Sequence, residues 1–316
     1  MKIKRRRLTS TALILSLVLS LFVPAMAMAS EDTLKPLPKV GDVISGFKAT
    51  ALDHIDMIDS DTVTFEHEKT GAQLLYIQNN DINRSFEITF KTPAFDDTGV
   101  NHVLEHASVS GSERYPFKNL LFTILNQTYC SFVNAFTAIN LTSYPVSSMS
   151  EAQLLKLSEV YLDCVFNPYI YQDENIFKRE AWRYELESEE APLTITGTVF
   201  SEMKGAYADV ERVIGEGTDR LLYPDTCYGF SSGGKPEHIP ELSYAQFIAA
   251  HKRFYHPSNA RIFLDGHMDV ERVLAYIDAE YLSQYTYRAP SRCSSPARAR
   301  PRCTMRRCPA RRRSAI

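Results

Sequence analysis

The stretch "RSFEITFKTPAFDDTGVNHVLEHASVSG", residues 84–111, changes period half-way, and that change decides the fold class. Its first part reads as a strand ended by Pro93. In the second part Val100, Val103, Leu104 and Ala107 recur at helical spacing behind Thr98, a suitable N-cap, and Gly111 lies just past the stop. Upstream, "DTVTFEHEKTGAQLLYIQNND" (61–81) alternates as two strands joined at Thr70-Gly71. Downstream, a loop holding "ERYPFKN" leads to a short helix, and "SFVNAFTAINLTSYPVSS" (131–148), rich in aromatic and branched residues, reads as one or two strands.

Helices dominate the second half of the chain. Ser150 with Gln153 has the capping-box pattern and opens a helix over 151–166; further helices are expected over 173–189 and 198–216. Residues 223–242 are turn-rich and read as a long surface loop. Ser243 with Gln246 repeats the capping signature before a helix over 244–255, then "ARIFLDG" reads as a buried strand and 269–282 as a last helix. Strands first, helices in the middle and a strand returning late predict an α+β fold, a mostly antiparallel sheet with helices packed on one face. No internal repeat is visible.

Both ends differ from the middle. "MKIKRRR", an apolar run and "AMAMA" have the layout of a signal peptide over 1–29, cleaved after Ala29, which predicts an exported chain: periplasmic, cell-surface or extracellular, with no stable membrane span after cleavage. From Arg288 onward the 29 residues hold 10 Arg, 3 Cys and no acid, without an apolar period; this basic tail is expected to be disordered or the product of a shifted reading frame. The formal charge of −3 includes five positive charges in the leader and ten in the tail, so residues 30–287 stand at −18. That acidity argues against nucleic acid as a partner. Cys130, Cys164 and Cys227 are widely spaced and read as small buried residues rather than a disulfide framework.

His102, Glu105 and His106 carry the chemistry. At about 100° per residue the two imidazoles are about 40° apart and Glu105 about 60° to the other side of His102, so all three point into one quadrant. Both rings can then bind one tetrahedral Zn²⁺, with Glu105 beside a metal-bound water as general base; this HxxEH order is the inverse of HExxH. Spacing leaves the third ligand open between Glu185 and Glu202.

Four blocks in order, "TGVNHVLEHASVSGSERYP", "SFVNAFTAINLTSYPVSS", "VFSEMKGAY" and "FYHPSNARIFLDG", make residues 40–287 resemble the pitrilysin-type inverzincin peptidases, presequence protease and falcilysin branch. The resemblance implies the metallohydrolase roll of that family and a zinc endopeptidase acting on unfolded peptides. It implies His102, His106 and Glu202 as ligands of one Zn²⁺ and Glu105 as base, with Glu185 as runner-up for the third ligand. It makes "VNAFT" the edge strand on which substrate lies, with Asn134, Ala135 and Phe136 in contact with it. Without the resemblance, the alternative is an internal strand with Phe132 and Phe136 in the core. In the family this unit is the first of four similar parts, and a later part supplies an Arg and a Tyr to the cleavage centre. The chain is therefore expected to be truncated and weakly active alone, with a missing C-terminal half or complementary chain as a partner. Two other readings compete: a non-catalytic exported peptide-binding or assembly subunit, and a small-molecule lyase whose third zinc ligand is a Cys.

Overall fold

The computed structural model describes residues 34–118 and 120–289, and the compact body runs from Leu37 onward. The leader and nearly all of the basic tail lie outside the described residues.

A nine-stranded sheet forms the spine, with strands β1 (Val43–Ile44), β2 (Phe47–Ile55), β3 (Ser60–His67), β4 (Gln73–Gln78), β5 (Arg84–Lys91), β6 (Phe132–Val133), β7 (Phe136–Thr137), β8 (Leu141–Ser148) and β11 (Ala260–Asp265). Their order is β1-β2-β3-β4-β11-β5-β8-β6, with β7 also pairing β8. Thr70-Gly71 does turn the β3–β4 hairpin, Gly71 supplying a φ of +74° that a side chain would oppose. The late strand β11 enters the middle, parallel to β4 and antiparallel to β5, so that Ile262 has Leu74 on one side and Ile88 on the other. Every other pairing in the sheet is antiparallel.

Period-two alternation separates the faces. Phe86, Ile88 and Phe90 of β5, with Tyr144 and Val146 of β8, are fully buried, and helix α3 (Glu151–Phe166) lies on these two strands. Each such aliphatic or aromatic side chain contributes about 1.5–3 kcal/mol by leaving water. On the opposite face Ser85 and Ser147 share a 2.8 Å hydrogen bond and Thr89 donates to Ser143 at 2.9 Å, a polar ladder suited to partial exposure. The sheet is thus mostly antiparallel with helices on one face, as the pattern predicts.

Boundaries depart from expectation in four places. The 131–148 segment makes three strands, because Asn134-Ala135 separates β6 from β7. The helix expected over 173–189 stops as α4 (Glu174–Glu180), and Arg183–Glu185 (β9) instead pairs with Thr194–Thr196 (β10) in a small second sheet. The helix expected over 198–216 breaks into α5 (Thr198–Ala206) and α6 (Val210–Leu222), since the Asp209 side chain accepts the Glu211 N–H and starts a new helix. Residues 223–242 are not all surface: Gly229, Ser231, Gly234 and Ile239 are buried. The helices α1 (Val100–Ser108), α2 (Leu120–Gln127), α7 (Tyr244–Phe254) and α8 (Val270–Glu280) stand close to where periodicity predicts them. Of the three cysteines among the described residues, Cys164 is buried but Cys130 and Cys227 are half-buried, and none is in a disulfide with another of them.

Candidate metal centre

Helix α1 is the pivot, with eight of its nine residues buried. Thr98 does not cap it; its hydroxyl donates to Asp96 at 2.6 Å, and the N-cap position is taken by Gly99 in the left-handed region, φ +69°. The reason is packing. A Cβ on Gly99 would sit 2.6 Å from Gly233 O and 2.7 Å from Gly234 Cα, so the two backbones touch only because neither side carries a side chain. This contact holds the 231–235 turn against the start of α1, where Gly233 O accepts a 3.1 Å hydrogen bond from His102 Nδ1. Asp97 fastens the same turn, accepting from Ser231 N at 2.9 Å and pairing with Arg220 of α6.

With Nδ1 spent on a carbonyl, His102 presents the Nε2 lone pair to the cleft. His106 does likewise, its Nδ1 lying 3.8 Å from Glu180 Oε2. Glu202 of α5 closes the group: its Oε2 is 3.6 Å from His102 Nε2 and 3.5 Å from His106 Nε2. Tetrahedral ligands on bonds of about 2.0–2.1 Å are about 3.4 Å apart, so these three atoms are spaced to hold one divalent cation. Among the described residues they form the one such group, and no cysteine belongs to it. Glu185 lies elsewhere, on β9, paired with Arg183 at 2.6 Å.

Electrostatics favour a neutral ligand at His102 and a basic carboxylate at Glu105, whereas His106 must give up a proton before it can hold a metal. Burial, with the charge of His106 beside it, holds the His102 imidazole below its ordinary pKa and thus neutral, as a metal ligand must be. Burial also disfavours a charged His106, but the Glu180 carboxylate beside its Nδ1 and the charges of Glu105 and Glu202 outweigh it and raise its pKa. Glu105, 7% exposed, has its carboxyl pushed above the usual range by burial and by Glu202, against the Thr137 hydroxyl and His106. A carboxylate that holds protons more readily than usual suits a general base.

The group opens into a cleft of about 650 Å³ that Asn134, Ala135 and Phe136 also line. Strands β6 and β7 pair β8 on one side and no described strand on the other. Phe132 and Phe136 are 49% and 44% exposed, which removes the internal-strand alternative. Asn134 is fixed at three points: its N–H donates to Pro145 O at 3.2 Å, its O accepts from Tyr161 OH at 2.7 Å, and its Oδ1 accepts the Ala135 N–H at 2.9 Å.

Sequence reading missed Glu180 and Gly233, which orient the two imidazoles. Glu180 had a signal: it follows Ile176 and Phe177 at helical spacing, a carboxylate on an apolar stripe. The Gly233-Gly234 pair had another, since adjacent glycines mark a close approach of backbone.

Residues 94–204 match the family model described as Insulinase (Peptidase family M16), and residues 241–306 match Peptidase M16 inactive domain. Protein HypA of Clostridium perfringens is 41% identical over 250 residues, covering 79% of this chain and 26% of that protein. The mitochondrial presequence protease of Drosophila melanogaster is 39% identical over 251 residues, covering 78% of this chain and 24% of that protein. The crystal structure of pitrilysin superposes with a TM-score of 0.59 at 15% identity over 78% of this chain and 25% of that one, a likeness of fold. The chain spans about a quarter of the length of the curated relatives it matches.

Proposed function

Since the chain belongs to the pitrilysin-type M16 peptidase family, in its presequence-protease branch, we propose that it carries the metal-site portion of a zinc endopeptidase acting on unfolded peptides. The observation that supports this most is the convergence of His102 Nε2, His106 Nε2 and Glu202 Oε2 beside the buried Glu105, in a cleft bordered by an unpaired strand edge. Zn²⁺ held by the three ligands would polarise the scissile carbonyl and acidify water.

The chain's own residues do the rest. The Val133–Thr137 edge takes an extended peptide by strand addition, in which main-chain hydrogen bonds supply affinity with little regard to sequence. Asn134 and Ala135 face that peptide, and Phe136 borders a side-chain pocket. Glu105 takes the proton of the attacking water and returns it to the leaving amine. Gly233 and Glu180 keep both rings in the tautomer that presents Nε2.

Turnover by this chain alone is expected to be slow, because Glu202 keeps 51% of its side chain exposed and bulk water reaches the site. Phe122, Leu125, Ile214 and Leu221 are exposed as well, which supports a complementary half as partner, in the same chain or another. The leader supports export. Among the described residues no helix is long and apolar enough to cross a membrane.

The test is cleavage of an unstructured peptide by the zinc-loaded chain and its Glu105→Gln and Glu202→Ala variants. Glu105→Gln should bind zinc and cleave nothing, and Glu202→Ala should lose zinc affinity. Cleavage that survives Glu105→Gln, or zinc affinity that survives Glu202→Ala, would overturn the reading; peptide binding without cleavage in every form would favour a binding subunit.

A further inference from the structure

Two arginines border the cleft, and they are held differently. Arg179 donates its Nε–H to Glu180 Oε1 at 2.8 Å and so belongs to the support of His106. Arg212, in the first turn of α6, is gripped by contacts that leave its forked end free. Its guanidinium carbon lies 5.4 Å from the centre of the Tyr207 ring. Its Nε is 3.2 Å from Glu216 Oε1, an ion pair without the alignment of a hydrogen bond, and that buried Nε–H has no acceptor.

Glu216 cannot turn to meet the fork. Its Oε1 also accepts from Ser231 Oγ at 3.1 Å, and its Oε2 accepts the Tyr207 hydroxyl. Arg212 Nη2 lies by Gly233, where an added Cβ would be 3.4 Å from it, so the guanidinium leans on the same turn whose carbonyl orients His102. The residue is therefore pre-oriented, 36% exposed on its side chain, and beside the metal ligands.

We propose that Arg212 is a specificity-determining residue of this cleft, binding a carboxylate of the peptide on the His102 side, from an acidic side chain or the C-terminus. This rests on the part of the reading above that has the cleft take up a peptide. A rigid guanidinium fork matches a carboxylate with two parallel N–H···O bonds, which a lysine cannot do. The surroundings sharpen the selectivity: Glu105, Glu180 and Glu202 line the same cleft, Arg179 is already paired with Glu180, and residues 30–287 stand at −18, so away from the metal an acidic group is received best at Arg212.

The experiment measures binding by fluorescence anisotropy to the zinc-loaded full chain carrying Glu105→Gln, so that no turnover intervenes. The probes are short, otherwise uncharged peptides carrying an electrically neutral fluorophore at the N-terminus, with one Glu or Gln at successive positions and a free or amidated C-terminus. One acidic form should bind roughly tenfold tighter than its neutral counterpart. Whether the Glu/Gln pair or the acid/amide pair shows the difference identifies the source of the carboxylate. Adding Arg212→Gln should abolish the preference with zinc affinity unchanged, and Arg212→Lys should restore only part of it. An acid preference that persists in Arg212→Gln, or none in its presence, overturns the proposal. If the Glu105-intact chain cleaves no peptide while the preference follows Arg212, the hydrolytic reading fails and this one stands.

Discussion

Replacing Gly99 by alanine strikes the point where the metal helix meets the turn that orients it. Gly99 sits at φ +69°, and an L side chain there costs roughly 1–2 kcal/mol of backbone strain, offset by up to about 1 kcal/mol from a stiffer unfolded chain. The new Cβ would lie 2.6 Å from Gly233 O and 2.7 Å from Gly234 Cα, backbone atoms that cannot swing aside as a side-chain tip would. Relieving the overlap adds roughly 1–3 kcal/mol, giving about 1–5 kcal/mol in all. An ordinary contact begins at 3.4 Å, so the turn must retreat by roughly 0.8 Å, enough to end the 3.1 Å hydrogen bond from His102 to Gly233 O. Zinc affinity should then fall roughly 10- to 100-fold as well. Urea unfolding of the metal-free chain gives the first quantity, and competition with a chromogenic chelator gives the second. Gly217→Ala, on α6 with nothing within 4 Å of its added Cβ, is the control and should be neutral or slightly stabilising. Gly99→Ala with the parent's urea midpoint and zinc affinity would refute the claim that this contact positions His102.

Three further outcomes are expected. Glu180→Gln should weaken zinc binding roughly tenfold or more at a pH where protons no longer compete, because His106 loses its orienting carboxylate; unchanged affinity in the chelator assay counts against that role. His251 accepts from Tyr171 OH at 2.7 Å and donates to Val165 O at 3.0 Å, and burial lowers its pKa to about 4. Between that value and about 6.5 the unfolded chain binds the extra proton. The stabilisation is therefore complete above about pH 6.5 and is lost as pH falls toward 4, by roughly 3 kcal/mol in all. Unfolding free energies of the metal-free chain across this window should rise more steeply with pH in the parent than in His251→Gln, which keeps the shallower slope from His256 and His102, whose pKa values burial also lowers. Ser243→Ala should cost about 1 kcal/mol in thermal or urea unfolding, since Ser243 Oγ takes the Gln246 N–H and Gln246 Oε1 takes the Ser243 N–H.

Where the signal was local, the sequence carried it well. The β3–β4 hairpin, the strand ended by Pro93 and the capping box at Ser243 rest on neighbouring residues, and each stands where expected. The pairing of His102, Glu105 and His106 was legible for the same reason, being fixed by the pitch of one helix. Long-range geometry was not legible. Nothing local says that Glu202 rather than Glu185 reaches the imidazoles, and only the family resemblance preferred it. The cap at Thr98 failed because Gly233 and Gly234 press on Gly99 from far along the chain, and the helix expected through Glu185 failed because Thr194–Thr196 captured Arg183–Glu185 as a strand. In these cases tertiary contact overrode a plausible local preference.

Strand β11 has a consequence for biosynthesis. Because Ala260–Asp265 fills the slot between β4 and β5, those two strands leave the ribosome long before the segment that joins them. Until it arrives, each keeps a naked row of amide and carbonyl groups beside apolar Leu74, Tyr76, Phe86 and Ile88, a template for pairing with other nascent chains. The last strand thus sets the pace of maturation, and a chaperone that shields the β4–β5 gap during translation should raise the soluble yield more than one acting on the finished domain.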